Sequence, residues 1–346
     1  MKRRASIIAA AVVCAACTKA APPSLGPVLA TVAVGARPGT PVAGLGAVWV
    51  PNTGDGTVSK IDPSTNRRVA TWRVGDAAAF YTRVCEPFGS VHSFMGTTFN
   101  VRRCDLPSAV VTHANLLWAA GNDTNSIVGL DPTSGRPRVT IPIGVTPFDL
   151  AADDSSVWVT SYWDDAIVRV DTASEKVVAT IREPGQGPSG VAVSGNTIWV
   201  ANSRAGTVVR IDGPSNQVTA TVSLPCHQPC PIGPTPLALA ATANALWVRN
   251  EQSGTLSRID PTTNQVVATI DIGAFDGRAG LDAMAVTSST LWLTGVNLQR
   301  VDTRSTTVAG TLDMNAFSLG SGFGSLWVTD VQGRIQRIDP LRAGAR

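Results

Sequence analysis

Hydrophobic and polar residues alternate in short runs along most of this chain, and residues 190–223 show the unit clearly. Residues 191–193 and 197–201 form two short apolar runs, and residues 207–211 and 217–222 form two alternating ones. Clusters of Gly, Asn, Ser, Asp and Pro separate the four runs, which is typical of strands joined by tight turns. The segment therefore predicts a sheet of four antiparallel strands. No segment of comparable length has the 3.6-residue apolar period of a helix, so we expect helices to be nearly absent.

This unit is repeated along the chain. A Trp closes a short apolar run about every 40 residues, at Trp49, Trp118, Trp158, Trp199, Trp247, Trp292 and Trp327. An Asp follows each Trp, in the first five copies by thirteen positions, at Asp62, Asp131, Asp171, Asp212, Asp260, Asp302 and Asp339. Seven copies of a four-stranded unit predict an all-β fold, a seven-bladed β-propeller of four-stranded antiparallel blades.

The last copy ends near Asp339 and Pro340 and lacks a fourth strand. Residues 28–34 (VLATVAV) match the fourth strands of other copies, such as residues 266–272 (VVATIDI). We therefore expect the N-terminal strand to pair into the last blade, which removes a sheet edge and closes the ring.

The repeated Trp and Asp residues have a structural interpretation. Each Trp stands at the same point of its blade, where a large ring fills the wedge between adjacent sheets. Each Asp precedes Pro, Thr or Gly at a turn, where its carboxylate can accept hydrogen bonds from backbone amides. An aromatic cage and a ring of carboxylates are the functional alternatives. Function is therefore sought where the copies differ.

The unit Leu246-Trp247-Val248-Arg249-Asn250, followed by residues 254–270 (GTLSRIDPTTNQVVATI), resembles the YVTN-type (YncE-like) bacterial propellers. These are relatives of the NHL-repeat and streptogramin B lyase propellers, and the resemblance covers roughly residues 28–340. Such families include enzymes, ligand binders and scaffolds, so the resemblance implies a fold and does not select a function. In this family the fourth-to-first and second-to-third strand loops open on one face, here called the loop face, which commonly carries the ligand site.

The N-terminus has the pattern of an export signal. Lys2, Arg3 and Arg4 precede a twelve-residue apolar run, residues 5–16, and small residues lead to Cys17. The run spans only about 18 Å as a helix, short of the roughly 30 Å hydrocarbon core, so a permanent membrane span is not expected.

The junction at Cys17 resembles a bacterial lipobox, which implies cleavage before this cysteine and its lipidation. Cys14 stands where the family usually has Leu, and ordinary cleavage with secretion is the alternative. We expect a signal peptide (1–16), a lipidated tether (17–27) and the propeller (28–342). The expected location is the cell envelope, on the periplasmic or extracellular side, with the lipid as the only membrane attachment.

Net charge gives no sign of a nucleic-acid partner. The signal peptide carries three of the 28 Lys and Arg residues and no acid, which leaves 25 cations against 25 Asp and Glu in the mature chain. A neutral body lacks the basic footprint of a protein that binds nucleic acid or an anionic membrane.

Four cysteines remain in the body: Cys85, Cys104, Cys226 and Cys230. An even number in an oxidising compartment favours two disulfides, and Cys85 with Cys104 and Cys226 with Cys230 is the simplest pairing. A zinc site around Cys226 and Cys230 is the alternative, although no second cluster of thiols and imidazoles completes four ligands.

Two loops on the predicted loop face are enlarged. Residues 76–107 include His92, several aromatic residues and the first cysteine pair, and residues 225–236 include His227 and the second pair. Loops of this length within a compact repeat are often functional. The candidate binding residues on this face are His92, Asp149, Tyr162, Trp163, Arg204, His227, Arg249, Glu251, Asp282 and Asp330.

These residues favour a non-catalytic envelope lipoprotein whose loop face binds a small polar ligand or an envelope protein. A streptogramin B lyase-like or lactonase-like metal-dependent enzyme is the alternative. A streptogramin B lyase-like enzyme would use clustered His and acidic residues with magnesium. One of the three histidines, His113, is expected on the face opposite the loop face. A lactonase-like enzyme would use converging oxygens such as those of Asp149, Asn250, Asp282 and Asp330 around a divalent cation. No catalytic residue, metal ligand or cofactor is assigned, and no Gly-x-Ser-x-Gly, nucleotide-loop or His-Glu-x-x-His motif is present.

Overall fold

The structure is a computed structural model that describes residues 27–74, 92–94, 97–99, 109–121, 124–144, 147–182, 185–226, 233–242, 244–273, 283–288, 290–295 and 297–343. It contains seven sheets of four antiparallel strands arranged in a ring, which confirms the predicted seven-bladed β-propeller. Within these ranges no helix has the length and apolar character needed to cross a membrane.

The strands are given by blade, from the inner to the outer strand. Blade 1 has β2 (Val42–Gly44), β3 (Ala47–Asn52), β4 (Thr57–Asp62) and β5 (Arg67–Arg73). Blade 2 has β8 (Val110–His113), β9 (Leu116–Gly121), β10 (Ser126–Leu130) and β11 (Pro137–Pro142). Blade 3 has β12 (Pro147–Ala152), β13 (Ser156–Ser161), β14 (Ala166–Asp171) and β15 (Lys176–Ile181). Blade 4 has β16 (Pro188–Ser194), β17 (Thr197–Asn202), β18 (Thr207–Asp212) and β19 (Gln217–Ser223).

Blade 5 has β20 (Pro236–Thr242), β21 (Ala245–Asn250), β22 (Thr255–Asp260) and β23 (Gln265–Asp271). Blade 6 has β24 (Met284–Thr287), β25 (Thr290–Leu293), β26 (Leu298–Asp302) and β27 (Thr307–Leu312). Blade 7 has β28 (Ser318–Gly322), β29 (Ser325–Thr329), β30 (Arg334–Ile338) and the N-terminal β1 (Val28–Ala33). A separate hairpin, β6 (His92–Phe94) and β7 (Thr97–Phe99), lies within the first insert.

The N-terminal strand closes the ring as predicted. β1 pairs antiparallel with β30, from Val28 opposite Ile338 to Ala33 opposite Arg334. Because β1 takes the place of the missing fourth strand, blade 7 joins residues from the two ends of the propeller.

The seven repeated Trp side chains lie between blades, as expected. Each is at most 1% exposed and stands in the second strand of its blade. Apolar clusters cross the blade boundaries: Trp327 of blade 7, for example, shares one with Val48 and Val50 of blade 1. The Trp residues are therefore part of the core, and the aromatic cage is not needed to explain them.

A cation pairs with most of these Trp residues and links neighbouring blades. Arg169 lies opposite Trp158 across β13 and β14, with its guanidinium carbon 5.1 Å from the indole centroid. The same guanidinium donates to the Gly213 carbonyl (2.7 Å) and to Asn216 Oδ1 (3.1 Å) in the outer turn of blade 4. Equivalent bonds join Arg210 to Pro261 and Asn264, and Arg337 to Pro63 and Asn66.

Blade 2 departs from this arrangement because Gly129 faces Trp118. The link to blade 3 is made instead by His113, whose Nε2 lies 3.0 Å from Thr172 Oγ1. This histidine ends the first strand of blade 2, on the side of the first-to-second strand turn where the sequence places it.

The repeated Asp residues hold turns, as predicted. In the turn after β4, Asp62 accepts from the Ser64 amide (2.8 Å) and from the Ser64 and Thr65 hydroxyls. Hydrogen bonds from Ser64, first its hydroxyl and then its amide, lower the pKa of Asp62 to about 2. The ring of carboxylates is thus explained by turn geometry.

Hydrogen bonds define the two faces. The first-to-second and third-to-fourth strand turns meet, as in the bond from the Gly213 amide to the Asn196 carbonyl (2.8 Å); we call this side the turn face. On the opposite loop face, the second-to-third strand turn meets the incoming connection, as in the bond from the Ser203 amide to the Gly187 carbonyl (2.9 Å).

Candidate functional site

Three of the predicted binding residues lie together on the loop face at blades 3 and 4. Tyr162 and Trp163 begin the turn between β13 and β14, and Arg204 occupies the equivalent turn between β17 and β18. The Tyr162 ring lies 4.9 Å from that of Trp163, edge-on at 82°. The Arg204 guanidinium carbon lies 5.4 Å from the Tyr162 centroid and 5.7 Å from that of Trp163. A guanidinium at this range gains from the electron-rich ring faces.

Asp165 fixes the orientation of Arg204. The two side chains form an ion pair, and the same Asp165 oxygen accepts the Gly187 amide at 2.8 Å. The backbone of Arg204 is held too, because its amide donates to the Gln186 carbonyl (3.1 Å). The guanidinium is therefore positioned by an acid from blade 3 and by the connection between the two blades.

Gly187 allows this close approach. Its φ is 68°, in the left-handed region that favours glycine. A Cβ there would lie 2.9 Å from Arg204 Cγ and 3.1 Å from Tyr162 Cε2. A residue with a side chain would therefore push against both members of the site.

We call this group, Tyr162, Trp163, Asp165 and Arg204, the aromatic shelf. Tyr162 is buried and packs on Phe148 at 5.7 Å, whereas Trp163 is 46% exposed. Burial raises the pKa of Tyr162, against the lowering effects of the Ser203 hydrogen bond and the Arg204 charge. The shelf thus combines a neutral phenol, a half-exposed indole and a partly exposed Arg–Asp pair.

Asp149 is separate from the shelf and works within the ring. Its Oδ2 accepts the Val191 amide from the inner strand of blade 4 (3.0 Å), and its Oδ1 accepts the Leu150 amide (2.9 Å). Burial raises the pKa of Asp149 to about 6, even though these two amide hydrogen bonds lower it. Its carboxylate therefore connects blades 3 and 4.

Arg249, Glu251 and Asp330 are buried rather than set on an open rim. Arg249 donates to the Thr294 carbonyl (2.5 Å) and hydroxyl (3.2 Å) of blade 6, and so joins two blades. Asp330 accepts from the amides of Gln332 and Arg334 and pairs with the Arg334 guanidinium at 2.7 Å. Arg249, Glu251 and Asp330 therefore lie in the interior of the propeller, whereas Trp163 and Arg204 are exposed on the loop face.

Most of the remaining predicted residues fall outside the described part of the chain. His92 is in β6, but its side chain is not described, and Cys17, Cys85, Cys104, His227, Cys230 and Asp282 fall outside the described residues. Cys226 takes part in a disulfide bond. Its pairing with Cys230, and that of Cys85 with Cys104, stay predictions.

The lactonase-like oxygen set is not brought together among the residues described. Asn250 is buried and donates to Thr255 Oγ1 (3.1 Å) and Ser257 Oγ (2.8 Å) of its own blade. Asp149 and Asp330 are hydrogen-bonded in blades 3 and 7, as described above. In the described ranges no group of three or more His, Cys, Asp or Glu residues is arranged to hold a metal ion.

Sequence inspection missed Asp165, Gly187 and Phe148. Asp165 follows Asp164 directly, and only the fold shows which of the two reaches Arg204. Gly187 lies between Gln186 and Pro188, a composition typical of any turn. The contribution of these residues depends on the neighbouring blade, which the repeat pattern does not reveal.

Comparisons with known proteins support the fold. No protein-family model matches the chain, and no curated protein matches it. A solved streptogramin B lyase structure is 16% identical, with a TM-score of 0.68 over 88% of this chain and 93% of the other. A virginiamycin B lyase from Staphylococcus aureus is 14% identical, also with a TM-score of 0.68, over 89% of this chain and 97% of the other. At these identities the likeness shows a shared seven-bladed propeller and nothing about activity.

Proposed function

We propose that this chain is a non-catalytic, exported lipoprotein that binds a small polar ligand at the aromatic shelf. The observation that carries the proposal is the half-exposed Trp163 held beside the Arg204–Asp165 ion pair. Aromatic residues with a few polar groups fixed beside them are typical of small-molecule binding sites.

A saccharide is the ligand class that best fits the shelf. A sugar ring has an apolar C–H face that can stack on an indole, and hydroxyl groups around its edge. Arg204 supplies several N–H donors in one plane, and Asp165 supplies acceptor oxygens. Cell-wall glycan fragments meet these requirements and are present in the compartment to which the export signal would send the chain.

The shelf is also held in place before a ligand arrives. Tyr162 is buried on Phe148, Arg204 is bound by Asp165, and Gly187 brings the connecting loop against both. Binding therefore costs little side-chain entropy, which favours affinity for a small ligand.

The test is a titration of the purified mature protein with soluble cell-wall saccharides, followed by tryptophan fluorescence and calorimetry. We expect Trp163→Ala to weaken binding at least about tenfold, or about 1.4 kcal/mol, because the stacking surface is lost. Val331→Ala is the matched control, since Val331 is an exposed apolar residue on the loop-face turn of blade 7. Equal affinities for wild type, Trp163→Ala and Val331→Ala would rule out the shelf as the binding site.

The enzymatic alternative is tested directly, because two of the solved structures that share this fold are lyases. The protein is incubated with virginiamycin B and with simple lactones, with and without Mg²⁺ or Ca²⁺, and the products are analysed by mass spectrometry. We expect the substrates to be recovered unchanged. Turnover that His92→Ala or His227→Ala abolishes would replace the proposal with an enzymatic one.

The lipoprotein part of the proposal has its own test. Mass spectrometry of the N-terminal peptide from membrane-derived protein is expected to show a chain that begins at an acylated Cys17. A free N-terminus elsewhere, with the protein in the soluble exported fraction, would mean ordinary signal-peptide cleavage.

A further inference from the structure

We propose that the turn face at the junction of blades 7 and 1 is a membrane-contacting surface, which seats the propeller on the lipid bilayer. The surface is an apolar patch formed by Val28, Leu29, Leu45, Phe323 and Leu341. The inference rests on the proposed lipid anchor at Cys17. The patch would be a second attachment to the membrane and would set the orientation of the propeller on it.

Three patch residues surround the point where the chain enters the propeller. Ile338, the last residue of β30, pairs with both Val28 of β1 and Leu326 of β29. The Asp339 amide donates to the Pro27 carbonyl at 2.8 Å. Val28 and Leu29 at the start of β1 and Leu341 just after β30 therefore lie at one end of blade 7.

The other two residues project from neighbouring turns on the same face. Phe323 lies in the turn between β28 and β29, and Leu45 in the equivalent turn of blade 1 between β2 and β3. The turns are adjacent, because a Cβ on Gly322 would lie 2.0 Å from the Ala43 Cβ. Arg337 connects blades 7 and 1 next to these turns, because it donates to Ser325 Oγ (2.9 Å) and to the Pro63 carbonyl of blade 1 (2.6 Å).

The patch concentrates exposed apolar side chains. Val28 is 40% exposed, Leu29 46%, Leu45 36%, Phe323 44% and Leu341 87%. In the described ranges the other exposed large apolar residues are valines on the outer strands of blades 1, 3, 5 and 6, together with Trp163 and Val331 on the loop face. A local cluster of this kind marks an interaction surface, whereas scattered single residues are ordinary.

The backbone gives a second reason to treat the two turn tips as functional. Leu45 and Phe323 both have a φ of 50°, a left-handed conformation that bulky residues rarely adopt. Gly195, with a φ of 58°, has the equivalent position in blade 4. Bulky apolar residues are thus held in strained conformations and exposed to water, which folding alone does not require.

The tether indicates what covers the patch. Residues 17–26 lie between the proposed lipid anchor and the described propeller, and ten extended residues reach at most about 36 Å. The chain joins the propeller beside Val28, so a lipidated Cys17 would hold this end of blade 7 close to the bilayer. The patch is then the first apolar surface that the bilayer meets.

The charges near the patch favour apolar insertion over electrostatic attraction. Arg342 pairs with Asp339 at 3.2 Å, and Arg337 is hydrogen-bonded to protein groups. A contact made mainly by apolar side chains should depend little on salt, unlike a polybasic one. The same seating directs the loop face, and with it the aromatic shelf, away from the bilayer.

The first test compares two reporter variants of the full lipidated protein in phosphatidylcholine vesicles, with and without brominated acyl chains. Phe323→Trp places an indole in the patch, and Val331→Trp places one on the loop face. We expect bromine to quench the additional emission of Phe323→Trp at least about twofold and to leave that of Val331→Trp unchanged. Equal quenching of both, or quenching of Val331→Trp alone, would overturn the proposed orientation.

The second test separates the patch from the anchor. All proteins in this test carry Cys17→Ser. The partitioning onto vesicles of the protein with the intact patch is compared with that of a Phe323→Ser, Leu341→Ser double variant and of a Val331→Ser control, at 0.1 and 1 M NaCl. We expect at least about a fivefold loss for the double variant alone, independent of salt. An equal loss for the control, no partitioning of the intact patch, or a concentration-dependent dimer that the double variant abolishes would each overturn the proposal. A missing acyl group on Cys17 would contradict the anchor without deciding the patch.

Discussion

Asp149 shows how one residue at a repeated position can make the propeller sensitive to pH. The corresponding residue of blade 4 is Gly190, so the carboxylate is not required by the repeat. It accepts amides from its own blade and from blade 4, yet burial raises its pKa to about 6 from an ordinary value of 3.8. The folded state therefore binds a proton more tightly at this site than the unfolded state does.

This linkage predicts a sign for the pH dependence. Between pH 4 and 6 the carboxyl group keeps its proton when folded and loses it when unfolded, so its contribution to stability is present below pH 4 and falls as pH rises through 6. We expect Asp149→Asn to remove this fall, on the order of 2 kcal/mol between pH 4 and 7. Urea unfolding of both proteins at pH 4, 5, 6 and 7 measures the difference, and parallel pH profiles would contradict it.

At the scale of secondary structure, the links between blades come from one strand position. In blades 3 and 4 the cation opposite the Trp covers the indole and continues to the outer turn of the next blade, as Arg169 and Arg210 do. Arg337 makes the same link across the ring closure, to Pro63 (2.6 Å) and to Asn66 Oδ1 (3.0 Å). The third strand therefore connects blades as well as completing one.

Arg337→Met tests this role, because methionine keeps much of the aliphatic packing on Trp327 and removes the donors. Charge-assisted hydrogen bonds contribute about 1.5–3 kcal/mol, and the acceptors in blade 1 would lose their partner, so we expect the free energy of unfolding to fall by about 2 kcal/mol. Arg138→Met on the exposed outer strand of blade 2 is the control and should change stability by less than about 0.5 kcal/mol. Similar losses in both variants would mean that the link contributes no more than a surface arginine.

The blades and the ring closure could be predicted from the sequence, but the contacts between blades could not. Strand alternation, the Trp period and the match of residues 28–34 to fourth strands predict the blades and the closure, because these features are local and repeated. The contacts between blades are neither local nor marked by a motif. The exposed residues Trp163 and Arg204 were found because they do not repeat, but the same criterion selected Arg249 and Asp330, which are buried. Only the packing of one blade on the next distinguishes the two groups.

At the scale of the whole molecule, one strand joins the two ends of the ring. β1 pairs with β30 about 300 residues away, and Val32 and Val34 pack with Trp327 of blade 7 and Val48 of blade 1. Blade 7 packs against one blade on each side in the ring, so losing this strand exposes apolar surface on both sides of blade 7. The stability of the propeller should thus depend strongly on six residues at its N-terminus.

Two substitutions on adjacent residues test this dependence. Val32→Asp places a charge in the buried closure, whereas Thr31→Asp places the same charge on the exposed face of the same strand. Burying an unpaired carboxylate is strongly unfavourable, so we expect Val32→Asp to lower the free energy of unfolding by about 3–5 kcal/mol and Thr31→Asp by less than about 1 kcal/mol. Urea unfolding gives the energies, and limited proteolysis shows whether cleavage begins in blades 7 and 1. If the two variants unfold alike, the N-terminal strand lies on the ring without holding it closed.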